Sequence, residues 1–392
     1  MKVYFDNAAT TPLRNEVIEL MTQSMLMTFG NPSSTHAFGR SAKSLIETAR
    51  KSVAKHLNCE PQEIIFTSGG TESDNMVLRC AVKNLNIQTI ISSAVEHHAV
   101  LHALDDLKKE GVNIRYVDLD ENGSLNFEHL ENILKEDDTP KLVSLMHINN
   151  EIGNILDLDR VGGLCKANGA YFHTDAVQGI GHFAFDLQSQ PIDFLSAAAH
   201  KFHGPKGVGF AFIRKNILLD PFIVGGAQER GLRAGTESVH NIIGLQKALE
   251  IAYENLVEER THISGLKKYF ISQLKVLFPE VHFNGLSGNM DQSTYTLVNV
   301  ALPLDDSKSQ LLNFHMDLKG IACSKGSACQ AGADSGSHVL GSLTRPNAIK
   351  KFPSLRFSFS SFNTMEAADY VIQTLSALRE STQFTSDRLF QT

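Results

Sequence analysis

The chain has 392 residues, 42% of them apolar and 20% charged, with a formal net charge of -7. That length suits a large domain with a smaller partner rather than one small core, and scattered basic residues on an acidic chain provide no global field for nucleic acid. No apolar run reaches the roughly 18 residues of a membrane span. The five cysteines (Cys59, Cys80, Cys165, Cys323, Cys329) are odd in number, widely spaced and free of any CxxC pair, which argues against a disulfide framework or a metal cluster. Met1–Asp6 runs into a strand-like segment rather than the apolar core of a secretion signal, so a reducing cytoplasm is expected.

Ile64–Phe66, Thr89–Ile91, Ile114–Val117, Leu142–Met146 and Ala170–Phe172 are predicted strands. Among the helices between them, Ser41–Leu57 places Leu45, Ile46, Ala49, Val53 and Leu57 on one stripe. Repeated βα alternation predicts an α/β fold with a mostly parallel sheet covered by helices on both faces. In such a sheet the ligand sits beyond the carboxyl ends of the strands. Val208–Ile213 is a further strand, suited to an antiparallel place. From about His240 the texture changes. A helical stretch to Leu277 with a break leads to strands Val281–Phe283 and Thr294–Val300, helix Ser307–Lys319, strand Leu355–Phe359 and helix Thr364–Arg379. This reads as a smaller α+β domain joined by the first dozen residues, with boundaries at 14–255 and at 1–13 with 256–392. The polar tail Ser381–Thr392 is expected to fray.

The chemistry centres on Ser196-Ala-Ala-Ala-His200-Lys201-Phe-His203-Gly-Pro-Lys206, where a lysine follows an apolar strand. A partly desolvated lysine there has a lowered pKa and can form a Schiff base; the alternative is a surface loop with two lysines. Asp175, in His173-Thr-Asp-Ala-Val-Gln178, also follows a strand. It could pair with a protonated pyridine nitrogen, or simply cap a helix. Thr67-Ser-Gly-Gly70-Thr71-Glu72 lies between strand and helix, where free N–H groups could cup a phosphate or merely form an ordinary capped turn. His97, in Val95-Glu-His-His98, could lie flat on a ring, and Asn150, in Asn149-Asn-Glu151, could bind a phenolic oxygen or a carboxylate. Arg356 alternates with apolar residues in Leu355–Phe359 and suits a carboxylate, or else a structural ion pair. Finally, Ala322–Ser337 is small, polar and glycine-rich, and reads as a mobile surface loop. A free cysteine is usually buried, so Cys329 in that loop reads as a reactive thiol, whereas Cys323 sits nearer an apolar strand and reads as structural.

At these motifs, from Tyr4-Phe-Asp6-Asn-Ala-Ala-Thr-Thr11 and Gly30-Asn-Pro-Ser-Ser34 to Gly326-Ser-Ala-Cys329, nearly the whole chain resembles the cysteine desulfurases. These belong to the class V aminotransferase branch of pyridoxal-phosphate enzymes. The Gly-Ser-Ala-Cys segment resembles the branch with a long mobile cysteine loop, here about 323–337. The resemblance implies the type I fold of pyridoxal 5'-phosphate enzymes, with Lys201 as the Schiff-base lysine, Asp175 as the pyridinium partner and Gln178 as donor to the phenolic oxygen. His97 would stack on the ring and assist proton transfer. Gly70, Thr71 and His200 would hold the phosphate, and Thr236 would reach the phosphate of a neighbouring subunit, implying a homodimer. Asn150 and Arg356 would clamp the carboxylate of L-cysteine.

On the same resemblance, Cys329 would receive the sulfur as a persulfide, releasing L-alanine, and pass it to an iron–sulfur scaffold or a sulfur carrier. No intrinsic metal is implied, although Cys329 could share an iron–sulfur ligand role in a scaffold complex. A selenocysteine lyase or another class V aminotransferase is the alternative within the fold, and a non-catalytic scaffold the alternative outside it. One departure stands out. Relatives carry Ser three residues before the lysine, and here that position is Ala198; Ser196 lies about 6.6 Å further along the strand.

Overall fold

The computed structural model describes residues 1–304, 311–325 and 336–389, with 380–389 described for backbone alone. In chain order, β1 (Val3–Tyr4), α1 (Asn15–Met27), α2 (Ala37–His56), β2 (Ile64–Thr67), α3 (Gly70–Asn84), β3 (Thr89–Ser92), α4 (His98–Lys109) and β4 (Asn113–Tyr116) open the fold. They are followed by α5 (Phe127–Lys135), β5 (Lys141–Ser144), α6 (Leu158–Ala167), β6 (Tyr171–Asp175), β7 (Phe194–Ala198), β8 (Gly209–Ile213) and α7 (Val239–Glu254). The remainder comprises α8 (Leu256–Leu277), β9 (His282–Phe283), β10 (Leu297–Ala301), α9 (Leu312–Leu318), β11 (Ile321–Ala322), α10 (His338–Ser342), α11 (Asn347–Lys350), β12 (Ser354–Ser358) and α12 (Met365–Leu389).

Seven strands form one sheet in the order β2-β8-β7-β6-β5-β3-β4. Pairing is parallel from β7 through β4, while β8 runs antiparallel to both β2 and β7, the place its sequence suits. Apart from the edge strand β4, the sheet is buried on both sides, and successive side chains point to opposite faces. Ile64, Phe66, Phe210, Phe212 and Leu195 pack with helices α1, α2, α5, α6 and α7. Their neighbours Ile65, Ala211 and Phe194 pack with α3 and α4 on the other face. Since β2 and β7 both run opposite to β8, the carboxyl ends of β2, β3, β5, β6 and β7 share one edge.

A second core covers a three-stranded antiparallel sheet, β12-β10-β9. Val298, Val300, Leu355 and Phe357 meet Phe270 of α8 and Val371 and Leu375 of α12 there. The N-terminus joins it: β1 pairs in parallel with β11, and Phe5 packs edge-on to Phe270 and Phe359. The sequence places a strand from Thr294, but β10 begins at Leu297. Thr294 N–H donates instead to the Gly153 carbonyl, and its hydroxyl meets that of Thr296. The polar tail also differs from expectation. Helix α12 continues to Leu389, and neither Gly nor Pro interrupts Glu380–Leu389.

The segment before Thr236 is fixed by a buried ion pair. Arg50 of α2 donates to both carboxylate oxygens of Glu229, at 2.7 and 2.8 Å, and Phe66 N–H donates to the same group. The two side chains are 3% and 2% exposed, so removing one strands the other's charge in the core. Glu229→Ala is therefore expected to destabilise the fold by about 3–5 kcal/mol, read as a lowered denaturant midpoint. Asp106→Ala, which breaks the exposed pair with Arg79, leaves that midpoint essentially unmoved.

Candidate active site

A cavity of about 280 Å³ opens at the shared carboxyl edge. Nine of the side chains singled out in the sequence line it: Gly70, Thr71, His97, Asn150, Asp175, Gln178, His200, Lys201 and Arg356. Eight of them end or follow strands of the large sheet. Gly70 and Thr71 begin α3 after β2, His97 caps α4 after β3, and Asn150 follows β5. Asp175 ends β6, and Lys201 closes the turn after β7. Arg356 alone comes from β12 of the smaller sheet.

Lys201 is half-buried and its Nζ donates to the Ala8 and Ala9 carbonyls, at 2.6 and 2.9 Å. Gln178 Nε2 donates to the same Ala8 oxygen at 2.9 Å. The backbone of Ala8–Ala9 is thus a wall of the site, a role not read from the sequence. The signal lay in the small side chains of Asn7-Ala-Ala-Thr-Thr11, which let backbone oxygens approach. His200 Nδ1 meets Thr10 Oγ1 at 3.2 Å, and Thr11 N–H donates to the His200 carbonyl. The N-terminal segment is in this way stitched along the lysine turn.

The floor holds two carboxyl groups, of which the sequence singled out only one. Asp74 and Asp175 are both buried, and burial pushes each above the ordinary carboxylate range. The charge of Asp175 raises Asp74 further, while Lys201 opposes the rise at Asp175. His173 lies 3.6 Å from Asp74 but brings no cation, because burial lowers its pKa to about 3. Its ring is instead held by Ser144 Oγ at 2.9 Å and Ser196 Oγ at 3.1 Å. Ser196 is therefore committed beneath the sheet edge, and it is Ala198 that faces the cavity. Asp74 was legible only as part of the turn of α3 that follows Thr71.

His97 accepts from Ala99 N–H at Nδ1, at 3.2 Å, so its proton is on Nε2. Burial, with Lys201 and the neighbouring His338 and His102 adding to it, lowers its pKa to about 4. Arg356 is buried, with Nη1 donating to the Asn150 carbonyl at 2.7 Å and Nη2 to Asp6 Oδ1 at 2.9 Å. Thr236 is exposed and does not line the cavity. Cys329 lies outside the described residues. Cys323 is half-buried against the second core, as its sequence context predicts, and burial pushes its thiol up to about 12. Among the described residues no group of three or more His, Cys, Asp or Glu is placed to hold a metal, and no helix is long and apolar enough to cross a membrane.

A half-buried lysine, a carboxylate floor without a neighbouring protein cation beneath it, and a helix N-terminus at one end define a site for an aldehyde cofactor. Such a cofactor would carry a cationic ring nitrogen and an anionic tail. Pyridoxal phosphate has that set of groups, and the residues present fit it. The comparisons agree. Residues 3–371 match the class-V aminotransferase family. "Cysteine desulfurase IscS" of Dictyoglomus turgidum is 41% identical over 381 residues, spanning 97% of this chain and 95% of the relative. The protein of the same name from Methanosarcina thermophila is 42% identical over 373 residues, 95% of this chain and 90% of the relative. A solved NifS-like protein superposes with a TM-score of 0.87 at 36% identity, covering 97% of this chain and all (100%) of that one. The chain belongs to the class-V aminotransferase family, in its pyridoxal-phosphate-dependent cysteine desulfurase branch.

The His97 geometry has a measurable consequence. With a pKa lowered to about 4, its ring stays neutral in the Nε2–H tautomer from pH 8 down to roughly pH 5. A nitrogen-15 NMR titration of the imidazole should show no inflection near 6.5, the ordinary histidine value.

Proposed function

We propose that this chain is a pyridoxal-phosphate-dependent cysteine desulfurase, converting L-cysteine to L-alanine with the sulfur left as a persulfide on Cys329. The observation that carries the reading is Lys201 above the buried Asp175 in one cavity, in a chain aligned over 97% of its length with an enzyme of that name. When bound, pyridoxal phosphate supplies an electron sink for bonds at the substrate's α- and β-carbons.

The residues divide the work by position. Asp175 would hold a charge against the ring nitrogen, and neutral His97 would lie against the ring. Gly70 and Thr71 at the start of α3, with His200, would hold the phosphate by N–H groups and the helix dipole. Gln178, steadied on the Ala8 carbonyl, would serve the phenolic oxygen. Asn150 and Arg356 would hold the substrate carboxylate. Lys201 would anchor the cofactor, and its free amine would move the α-proton. The Cys329 thiolate would then attack the substrate sulfur: a sulfur–sulfur bond forms, the carbon–sulfur bond breaks with its electron pair left on the β-carbon, that carbon takes up the proton the Cys329 thiol gave up, and alanine leaves. Burial raises the thiols of Cys59 and Cys323 to about 12, that of Cys80 to about 11, and that of Cys165 as well. The four described cysteines are thus poor nucleophiles, which supports Cys329 as acceptor.

A homodimer completes the reading. Met25, Leu26, Met27, Phe29 and Phe38 are exposed together at the end of α1 and the start of α2, an apolar patch suited to a second copy. Exposed Thr236 would then reach the phosphate site of that copy. The division into 14–255 and 1–13 with 256–392 follows the two cores, with about 323–337 presenting Cys329. A reducing cytoplasm suits a free nucleophilic thiol. The persulfide would pass to an iron–sulfur scaffold or another sulfur carrier.

Alanine and sulfide release from L-cysteine with a thiol reductant tests the reading. Wild type should release both, and Cys329→Ala neither, while both keep the cofactor absorbance. A fully active Cys329→Ala, or transamination products from wild type, would sink the desulfurase assignment. Because a thiolate attacks, turnover should fall on acidification with a thiol-like pKa; a flat profile from pH 6 to 9 contradicts a titrating thiol. Ala198→Ser restores a hydroxyl beside Gly70 and should tighten cofactor binding by about 1 kcal/mol, roughly fivefold, by equilibrium dialysis.

A further inference from the structure

Arg356 is used more fully than a guanidinium waiting for substrate needs to be. Nη1 donates to the Asn150 carbonyl at 2.7 Å. Nη2 donates to Asp6 Oδ1 at 2.9 Å and to Ser324 Oγ at 3.1 Å. The Ser324 hydroxyl in turn donates to Asp6 Oδ1 at 2.7 Å, and backbone bonds in both directions tie Ser324 to Arg356. Nε is buried without a partner.

The covalent layout of the group makes this decisive. A carboxylate binds a guanidinium bidentately through two adjacent, parallel N–H bonds. Only two edges offer such a pair, Nε with Nη2 and Nη1 with Nη2, because the third edge is blocked by Cδ. Both usable edges include Nη2, and both Nη2 protons already point at Asp6 and Ser324. A substrate carboxylate therefore gains a two-pronged grip only by displacing one of them. Asp6 is the charged competitor. In the empty cavity it neutralises a guanidinium that burial would otherwise leave uncompensated. With a substrate carboxylate present, two anions share one cation.

We propose that Asp6 is a positioning residue that competes with substrate and product carboxylates for Arg356, so that the site releases alanine readily. It sits where β1 meets the small sheet, bridged to Ser358, with its side chain 18% exposed, so it can yield without unfolding the strand. The cost of neutralising Arg356 is borne in the empty state by Asp6 and in the loaded state by the ligand. The exchange weakens every α-carboxylate equally, whether cysteine or alanine.

This inference rests on Arg356 reading the carboxylate. Its test is equilibrium titration of the holoenzyme with L-alanine and with ethylamine, which lacks the carboxylate, followed by the cofactor absorbance. Asp6→Asn keeps an acceptor for Arg356 and Ser324 but removes the charge. It should bind L-alanine several-fold more tightly and ethylamine no differently, while KM for L-cysteine falls and kcat does not rise. Asp6→Ser, which withdraws the charge with a shorter side chain, should show the same selective gain. Alanine binding unchanged or weaker in both variants overturns the proposal, as does an equal gain for ethylamine. The desulfurase reading fails separately, through absence of sulfide from wild type, because alanine titration needs no sulfur chemistry.

Discussion

The hydrogen bonds that Gln178, His200, Lys201 and His203 make with Ala8–Thr11 hold the molecule's halves in a working relation. β1 belongs to the small core through Phe5 and its pairing with β11, yet a few residues later the same chain lies across the lysine turn of the large sheet. An ammonium taken out of water needs acceptors, and here they come from a different core. Gln178 and His200 are steadied on the same segment, so the cofactor end of the cavity inherits its geometry from the N-terminal residues.

That crossing also explains why Arg356 can serve the site at all. It comes from β12, on the small sheet, and reaches the cavity beside Asp6, which follows β1 and is bridged to Ser358 at the end of β12. A guanidinium mounted on one core and a lysine mounted on the other can face each other only if something fixes the distance. The segment from Val3 to Thr11 does so, bonded to Ser358 near its middle and to His200 and His203 at its end.

The fold was legible because its strands are buried on both faces and read as short apolar runs, as in Ile64–Phe66 and Leu142–Ser144. Five strand ends on one edge then gathered His97, Asp175 and Lys201, which the sequence marked as residues following apolar runs. What was not legible came from backbone or from outside the runs. Ala8 and Ala9 act through carbonyls, which no side-chain pattern announces. Asp74 sits inside a helix, where it is indistinguishable from a solvated carboxylate until β6 is placed beside it. Asp6 has no role in the sequence beyond the Tyr4–Thr11 motif, and only its bridge to Ser358 brings it to a guanidinium 350 residues on. Ala198 was legible as a departure, and the structure adds why Ser196 does not compensate: His173 holds it.

The electrostatics of the floor follow from one choice, a neutral His173. Had that ring carried charge, it would have offset one of the carboxylates of Asp74 and Asp175 and left the floor with a single net negative charge. Burial keeps it uncharged at physiological pH, so the two carboxyl groups share a floor whose charge is opposed from across the cavity by Lys201. Like charges in low dielectric favour partial protonation, and a cationic ring nitrogen relieves that constraint most directly. The same logic operates at the other end, where Arg356 is balanced by Asp6 until a ligand brings a carboxylate. The cavity is thus built with unlike imbalances, an excess of acidic groups on its floor and a guanidinium already paired at Arg356. A cationic cofactor ring would relieve the first once, whereas on the proposed role of Arg356 each turnover would disturb the second and restore it.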